Sequence, residues 1–183
     1  MLRFPYRRGW AVPNSGSVSR PVRFWLRLIR LWSGQRASGA PALVASKPSD
    51  NAPRPFVSIR IQGPVGSRRL RSALLDTGSQ DTLFPAALAE PLGILLGGER
   101  HAIKWRGERY WVEFQSVELE LAENEVVWRW QTQVGFTPAP LAYALLGQRG
   151  CLDFMDAMFC GADQVVELAT NRLFPGSTTP VSG

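Results

Sequence analysis

The segment ALLDTGSQDTLF places one carboxylate, Asp76, at the end of an apolar run and follows it with the small residues Thr77, Gly78 and Ser79. A carboxylate in such a setting is costly unless it is hydrogen-bonded or put to chemical use. Two uses compete. Asp-x-Gly is ordinary turn chemistry, the side chain capping its own loop, and on the tripeptide alone that reading is the simpler. The other use is general acid–base catalysis, in which a positioned carboxylate moves a proton to or from a reacting group. Gly78 suits either, because a residue without a Cβ lets the backbone turn and approach closely. The other chemistry-bearing residues are less specific. Two cysteines and one histidine, with no CxxC pair, cannot build a four-ligand zinc cage, so neither a metal nor another cofactor is expected. His101 has no Ser or Cys arrangement beside it that spells a nucleophilic triad. Glu118, Glu120, Glu123 and Glu125 read as an exposed strand edge and turn, and Asp153 and Asp156 as a solvated helix face or as partners of Arg149. Cys151 and Cys160 read as reduced thiols on a helix and its exit, too few for a secreted disulfide scaffold.

The chain that must position these groups has 183 residues, room for one domain of about 150 residues and an extension. Its 45% hydrophobic and 20% charged residues are ordinary globular values. Arg23, Arg27 and Arg30 interrupt the most apolar early segment, so no run reaches the ~18 apolar residues of a spanning helix. A cytoplasmic location, or a peripheral one at a membrane surface, is the expectation. Charge is unevenly spread: residues 1–54 hold ten Lys or Arg against Asp50 alone, and the remainder holds eleven against fourteen acids. A nucleic-acid-binding core would need positive charge on the folded domain itself, so no nucleic acid is expected as a partner.

Within the basic extension, 1–54, residues 33–55 are rich in Ser, Ala, Gly and Pro and read as a linker. Residues 20–32 put four arginines on one helical stripe opposite Val22, Trp25, Ile29 and Trp32, a basic amphipathic helix. Such a helix suits a membrane surface or an acidic groove, or packs on its own domain; the composition also resembles a transit peptide. The folded domain is expected over 55–174 and a flexible tail over 175–183. Residues 55–63 alternate as a half-buried strand, and Leu70–Leu75 form a second strand running into Asp76. Residues 86–94 read as a short helix, and 101–114 as a hairpin with its tip at Arg106, Gly107 and Glu108. A change of phase predicts a bulge near Gln115 and Ser116. A strand through Val126–Thr132 is expected to break at Gly135–Pro140, a helix to span Gln148–Phe159, and a closing strand to run from Gln164 to Ala169. Trp128 and Trp130 share one strand face, as core or dimer packing would require. The fold class is mostly β.

The segment ALLDTGSQDT closely resembles the active-site loop of the retroviral-type aspartic proteases, the retropepsins: an apolar strand followed by Asp-Thr/Ser-Gly-Ala/Ser. YALLGQRGCLDFM, at 143–155, is similar to that family's second signature, an apolar pair and glycine opening a C-terminal helix, here Leu145, Leu146 and Gly147. The hairpin at 101–114 lies where the family has its flap. The resemblance spans about 120 residues, 55–174.

It implies a closed, retropepsin-like β-barrel, equivalent to half of a two-lobed acid protease, with a short C-terminal helix and an active homodimer. It implies that Asp76 is the catalytic aspartate, that Thr77 braces the two loops at the dimer axis, and that Gly78 lines the cleft. Ser79, Gln80 and Asp81 fall where relatives bind substrate, although Gln80 replaces an acid found in some. Trp105, Arg106 and Gly107 are the flap candidates, in a tip less glycine-rich than many. Two carboxylates in hydrogen-bond reach cannot both ionise cheaply and so share a proton, and together they would hydrolyse a peptide without an acyl-enzyme. This sequence carries one such Asp-Thr-Gly, so the implied partner is a second copy. The rival expectation is a non-catalytic module of the same fold that binds peptides or dimerises, with a membrane-surface adaptor built on residues 20–32 as a third.

Overall fold

Alternating apolar residues in Phe56–Gln62 make a strand with one face inward, and Val57, Ile59 and Ile61 are fully buried. The computed structural model describes residues 1–7, 53–123 and 126–180. Among these, the strands in chain order are β1 (Leu2–Pro5), β2 (Phe56–Gln62), β3 (Ser67–Leu75), β4 (Leu83–Pro85), β5 (His101–Trp105), β6 (Glu108–Glu123), β7 (Val126–Thr137), β8 (Ala144–Leu146), β9 (Met155–Cys160), β10 (Val165–Thr170) and β11 (Ser177–Pro180). The protein is mostly β and contains a closed six-stranded barrel, in which β7, β4, β8, β3, β2 and β6 follow one another and β6 pairs back to β7. β5 extends the sheet as an edge beyond β6, and β1, β10 and β9 form a separate three-stranded sheet.

Most pairings are antiparallel, but β3 runs parallel to β8, with Ala73 opposite Ala144 and Leu75 opposite Leu146. Both strands therefore end on the same side of the barrel, and the loops leaving them, 76–82 and 147–150, meet there. The core beneath is built from Val57, Ile59, Ile61, Leu119, Leu121, Trp128, Trp130 and Phe136 among others. Trp130 is 2% exposed and donates its indole N–H to the Gly150 carbonyl at 2.9 Å, satisfying the one polar atom of a large apolar group.

Several expected elements take another form. The C-terminal helix over Gln148–Phe159 does not form: a single 3-10 turn, Leu152–Phe154, passes into β9, whose six residues pair with β10. A short segment's helix propensity is a weak preference, and a six-residue ladder outweighs it. Asp153 and Asp156 consequently share no helix face. The helix at 86–94 is likewise two 3-10 turns, Ala86–Leu88 and Glu90–Leu92, ended by Gly93 at φ 70°. No bulge interrupts β6 at Gln115, since its register with β7 is unbroken from Glu113–Phe136 to Glu123–Val126; the irregularity lies between Val57 and Ile59. The change of phase in β6 has a different cause. Val112 joins a small cluster with Leu83 and Leu145, whereas Val117, Leu119 and Leu121 on the alternate face fill the barrel. β7 does not stop at Gly135 but continues to Thr137.

The expected domain limits also shift. β1 lies within the supposed extension yet pairs with β10, Leu2 opposite Leu168 and Phe4 opposite Val166, and both of its apolar side chains are 1% exposed. Residues 177–180, expected in a flexible tail, form β11 against β7. The predicted amphipathic helix at 20–32, its membrane contact and nearly all of the linker lie outside the described residues.

Candidate functional site

The loop after β3 is held in place by the loop after β8. Asp76 N donates to the Leu146 carbonyl at 3.0 Å, Gln148 N to Ser79 O at 3.0 Å, Arg149 N to Gln80 O at 2.9 Å, and Thr82 N to Arg149 O at 3.1 Å. Four main-chain bonds thus lace Asp76–Thr82 to Leu146–Arg149, and a loop so tied cannot drift relative to the barrel. Gly147 is indispensable here, because a Cβ on it would overlap the Asp81 carbonyl. Thr82, fully buried, adds a side-chain contact: its hydroxyl accepts from Gly147 N at 3.2 Å.

The expected site residues occupy this loop and the hairpin facing it. Asp76 is half-buried, and its Oδ1 accepts from Gly78 N at 3.0 Å. A Cβ at Gly78 would stand 3.3 Å from that oxygen. Thr77 is exposed; its carbonyl accepts from Gln148 Nε2 at 3.3 Å. Ser79 turns its hydroxyl onto the Asp81 carbonyl at 2.8 Å, and Gln80 is exposed. Asp81 Oδ1 lies 2.6 Å from Arg149 Nη2. That contact is an ion pair and not an aligned hydrogen bond, since Oδ1 is otherwise buried without a hydrogen-bond partner. Arg149 therefore pairs with Asp81, not with Asp153 or Asp156.

β5 and the start of β6 form the expected hairpin, Trp105 opposite Glu108, around Arg106 at φ 51° and Gly107 at φ 91°. Positive φ at both central residues is the twist-matched two-residue turn, and it explains a glycine at 107. A cleft of about 880 Å³ separates this hairpin from the Asp76 loop. Asp76, Gly78, Ser79, Gln80 and Asp81 line it from one side and His101, Ile103 and Trp105 from the other; Leu83, Val112, Phe114 and Leu145 contribute apolar surface. Thr77, Arg106 and Gly107 do not line it. Its volume is that of a ligand pocket, and its walls are mixed: Glu99, Lys104, Gln133 and Arg149 also line it, so polar surface exceeds apolar. Among the described residues no three His, Cys, Asp or Glu side chains group to hold a metal.

Sequence reasoning missed three residues that shape this region: Thr82, the Arg149 pairing with Asp81, and Glu113. Glu113 is fully buried on β6 and accepts hydrogen bonds from Gly97 N, Gly98 N and Arg100 Nε. The hydrogen bond from Arg100 holds its carboxyl below the usual carboxylate range, with the two glycine amides acting in the same direction against burial. A charged residue between Val112 and Phe114 was the available signal. No family model matches this chain, and no curated protein matches it.

Proposed function

We propose that this protein is an aspartic endopeptidase that acts as a twofold homodimer, each copy supplying Asp76. The observation that carries the reading is the cleft itself: a half-buried carboxylate on a loop fastened by four main-chain bonds, facing a β-hairpin across a space lined by both polar and apolar side chains. Tight fastening is what a catalytic group needs, because small misplacements of reacting atoms cost large factors in rate.

In the proposed reaction one Asp76 carboxylate takes a proton from a water as its oxygen bonds to the scissile carbonyl carbon, while the protonated Asp76 of the other copy donates to the carbonyl oxygen. The tetrahedral intermediate then collapses: the carbon–nitrogen bond breaks as the protonated carboxyl gives its proton to the leaving amine, while the ionised carboxylate takes a proton from one of the two hydroxyls, leaving a carboxylic acid and restoring the single shared proton. Exposed Thr77, whose side chain faces no described partner, is available to the second copy at the axis. The hairpin, as a flap, would exclude water and orient the peptide.

The test is cleavage of a diverse peptide library by wild type and by Asp76→Asn, which keeps the shape and loses the transferable proton. Activity is expected in wild type alone, falling on dilution through the dimer dissociation constant and poisoned by excess Asp76→Asn chains. Full activity in a strictly monomeric species overturns the shared site. Peptide binding without cleavage in wild type identifies the non-catalytic module instead.

A further inference from the structure

The buried carboxylate of Glu113 lies outside the cleft lining and has no part in the proposed proton transfers, yet one short segment directs three donors at it. Gly98 N donates to Oε2 at 3.0 Å, joined there by Gly97 N, and Arg100 Nε donates to Oε1 at 2.9 Å. The same guanidinium lies over the Trp111 ring, 4.6 Å from its centre. Gln115 reaches the carbonyl of Leu95 at 3.3 Å. Three alternate residues of β6, Trp111, Glu113 and Gln115, therefore hold residues 95–100, the approach to β5.

β5 needs such a hold. Among the described residues it is an edge strand whose one partner is β6, and it is preceded by Gly97 and Gly98, where a Cβ would meet nothing within 4 Å. Packing does not confine that glycine pair, and ordering glycine costs more backbone entropy than ordering other residues. Yet His101, Ile103 and Trp105 of β5 form one wall of the cleft.

We propose that Glu113 is a positioning residue: by clamping Gly97, Gly98 and Arg100 it sets where β5 stands over the Asp76 loop, and so the affinity of the cleft for an extended peptide. The peptide as ligand rests on the peptidase reading; the clamp does not. Glu113 acts through β5 and touches no substrate.

Hydrogen–deuterium exchange on the full chain tests the clamp without turnover. In both Glu113→Gln and Arg100→Gln, amides of residues 97–105 should exchange roughly tenfold faster or more, the scale of losing a hydrogen bond to a charged group, while those of 117–121 stay unchanged. Arg100→Gln keeps the test decisive if Glu113→Gln does not fold, because the Arg100 side chain is 58% exposed. Peptide KM should rise several-fold with kcat nearly constant. Unchanged exchange at 97–105 overturns the proposal, as does acceleration spread equally over 117–121, or a loss falling in kcat alone. Local acceleration in a chain that cleaves no peptide upholds the clamp and removes the peptidase reading.

Discussion

Asp81 and Arg149 are joined twice: their main chains form a parallel bridge, and Arg149 Nη2 lies 2.6 Å from Asp81 Oδ1. Both residues line the cleft. The main-chain bonds around them hold the loops, so the ion pair is free to set the electrostatics of the cleft instead. With the Arg149 side chain 60% exposed, its contribution to stability is at most about 1 kcal/mol. Arg149→Met should therefore leave thermal unfolding nearly unchanged while shifting peptide preference toward Lys or Arg beside the scissile bond, as Asp81 loses its cation. A peptide-library profile identical to wild type would refute that role for the pair.

Thr82 presents the opposite case, a buried contact whose loss is felt in the fold. Thr82→Val keeps the volume but removes the acceptor for Gly147 N, leaving a buried donor unpaired at a cost of about 1–3 kcal/mol. Denaturant unfolding should show that loss together with reduced turnover. An unchanged midpoint would mean that Gly147 N finds another partner.

Acid should loosen the approach to β5. Glu113 is held below its ordinary range chiefly by the Arg100 hydrogen bond. A depressed carboxyl contributes stability that is complete above its unfolded value, about 4.3, and is lost as pH falls through the lower folded value. Glu99 and His101 flank Arg100, His101 Nε2 lying 4.0 Å from Glu99 Oε1, so the informative quantity is the difference between wild type and Glu113→Gln. Their melting temperatures should differ most near neutrality and converge below about pH 4. A gap that does not change with pH anywhere from neutrality into acid would rule out Glu113 titration.

Removing the first residues should destabilise the domain. Leu2 and Phe4 are each 1% exposed, and burying such side chains stabilises by roughly 1.5–3 kcal/mol apiece. A chain truncated before Pro53 should lose about 3–6 kcal/mol by the same measure and expose the edge of β10. Equal denaturation midpoints for the truncated and full chains would show that β1 contributes nothing.

The two thiols should react at different rates. Cys151 is fully buried, which pushes its thiol up to about 12, whereas Cys160 is only partly covered. Iodoacetamide at about pH 8 should modify Cys160 in the native protein and Cys151 only on unfolding. Equal rates, followed by mass spectrometry, would contradict the buried position of Cys151.

Local pattern was enough to identify β2, the strand leading into Asp76, the hairpin turning at Arg106 and Gly107, and β10, because alternation and turn residues act over a few positions. Asp76 was singled out by the longer segment ALLDTGSQDT and its resemblance, because Asp-x-Gly by itself reads as ordinary turn chemistry, and its Oδ1 does accept from Gly78 N. Residues 155–160 were not legible as strand: their partner β10 follows just after the turn at 161–164, but the sheet that holds the pair is completed by β1, from the far end of the chain, and only a completed sheet makes that conformation favourable. The same holds for β1 and β11, four residues each, whose partners are far away in sequence. The alternation in β6 showed a change of phase but not its cause, which is that one strand serves two apolar clusters on opposite faces. Thr82, Glu113 and the Arg149 pairing belong to the same class. Their roles arise where segments separated by 13 to 68 residues meet, and no local window contains both halves of such a contact. The sequence alone determined the strand-rich character and the carboxylate; the tertiary structure decided what holds that carboxylate still and what faces it across the cleft.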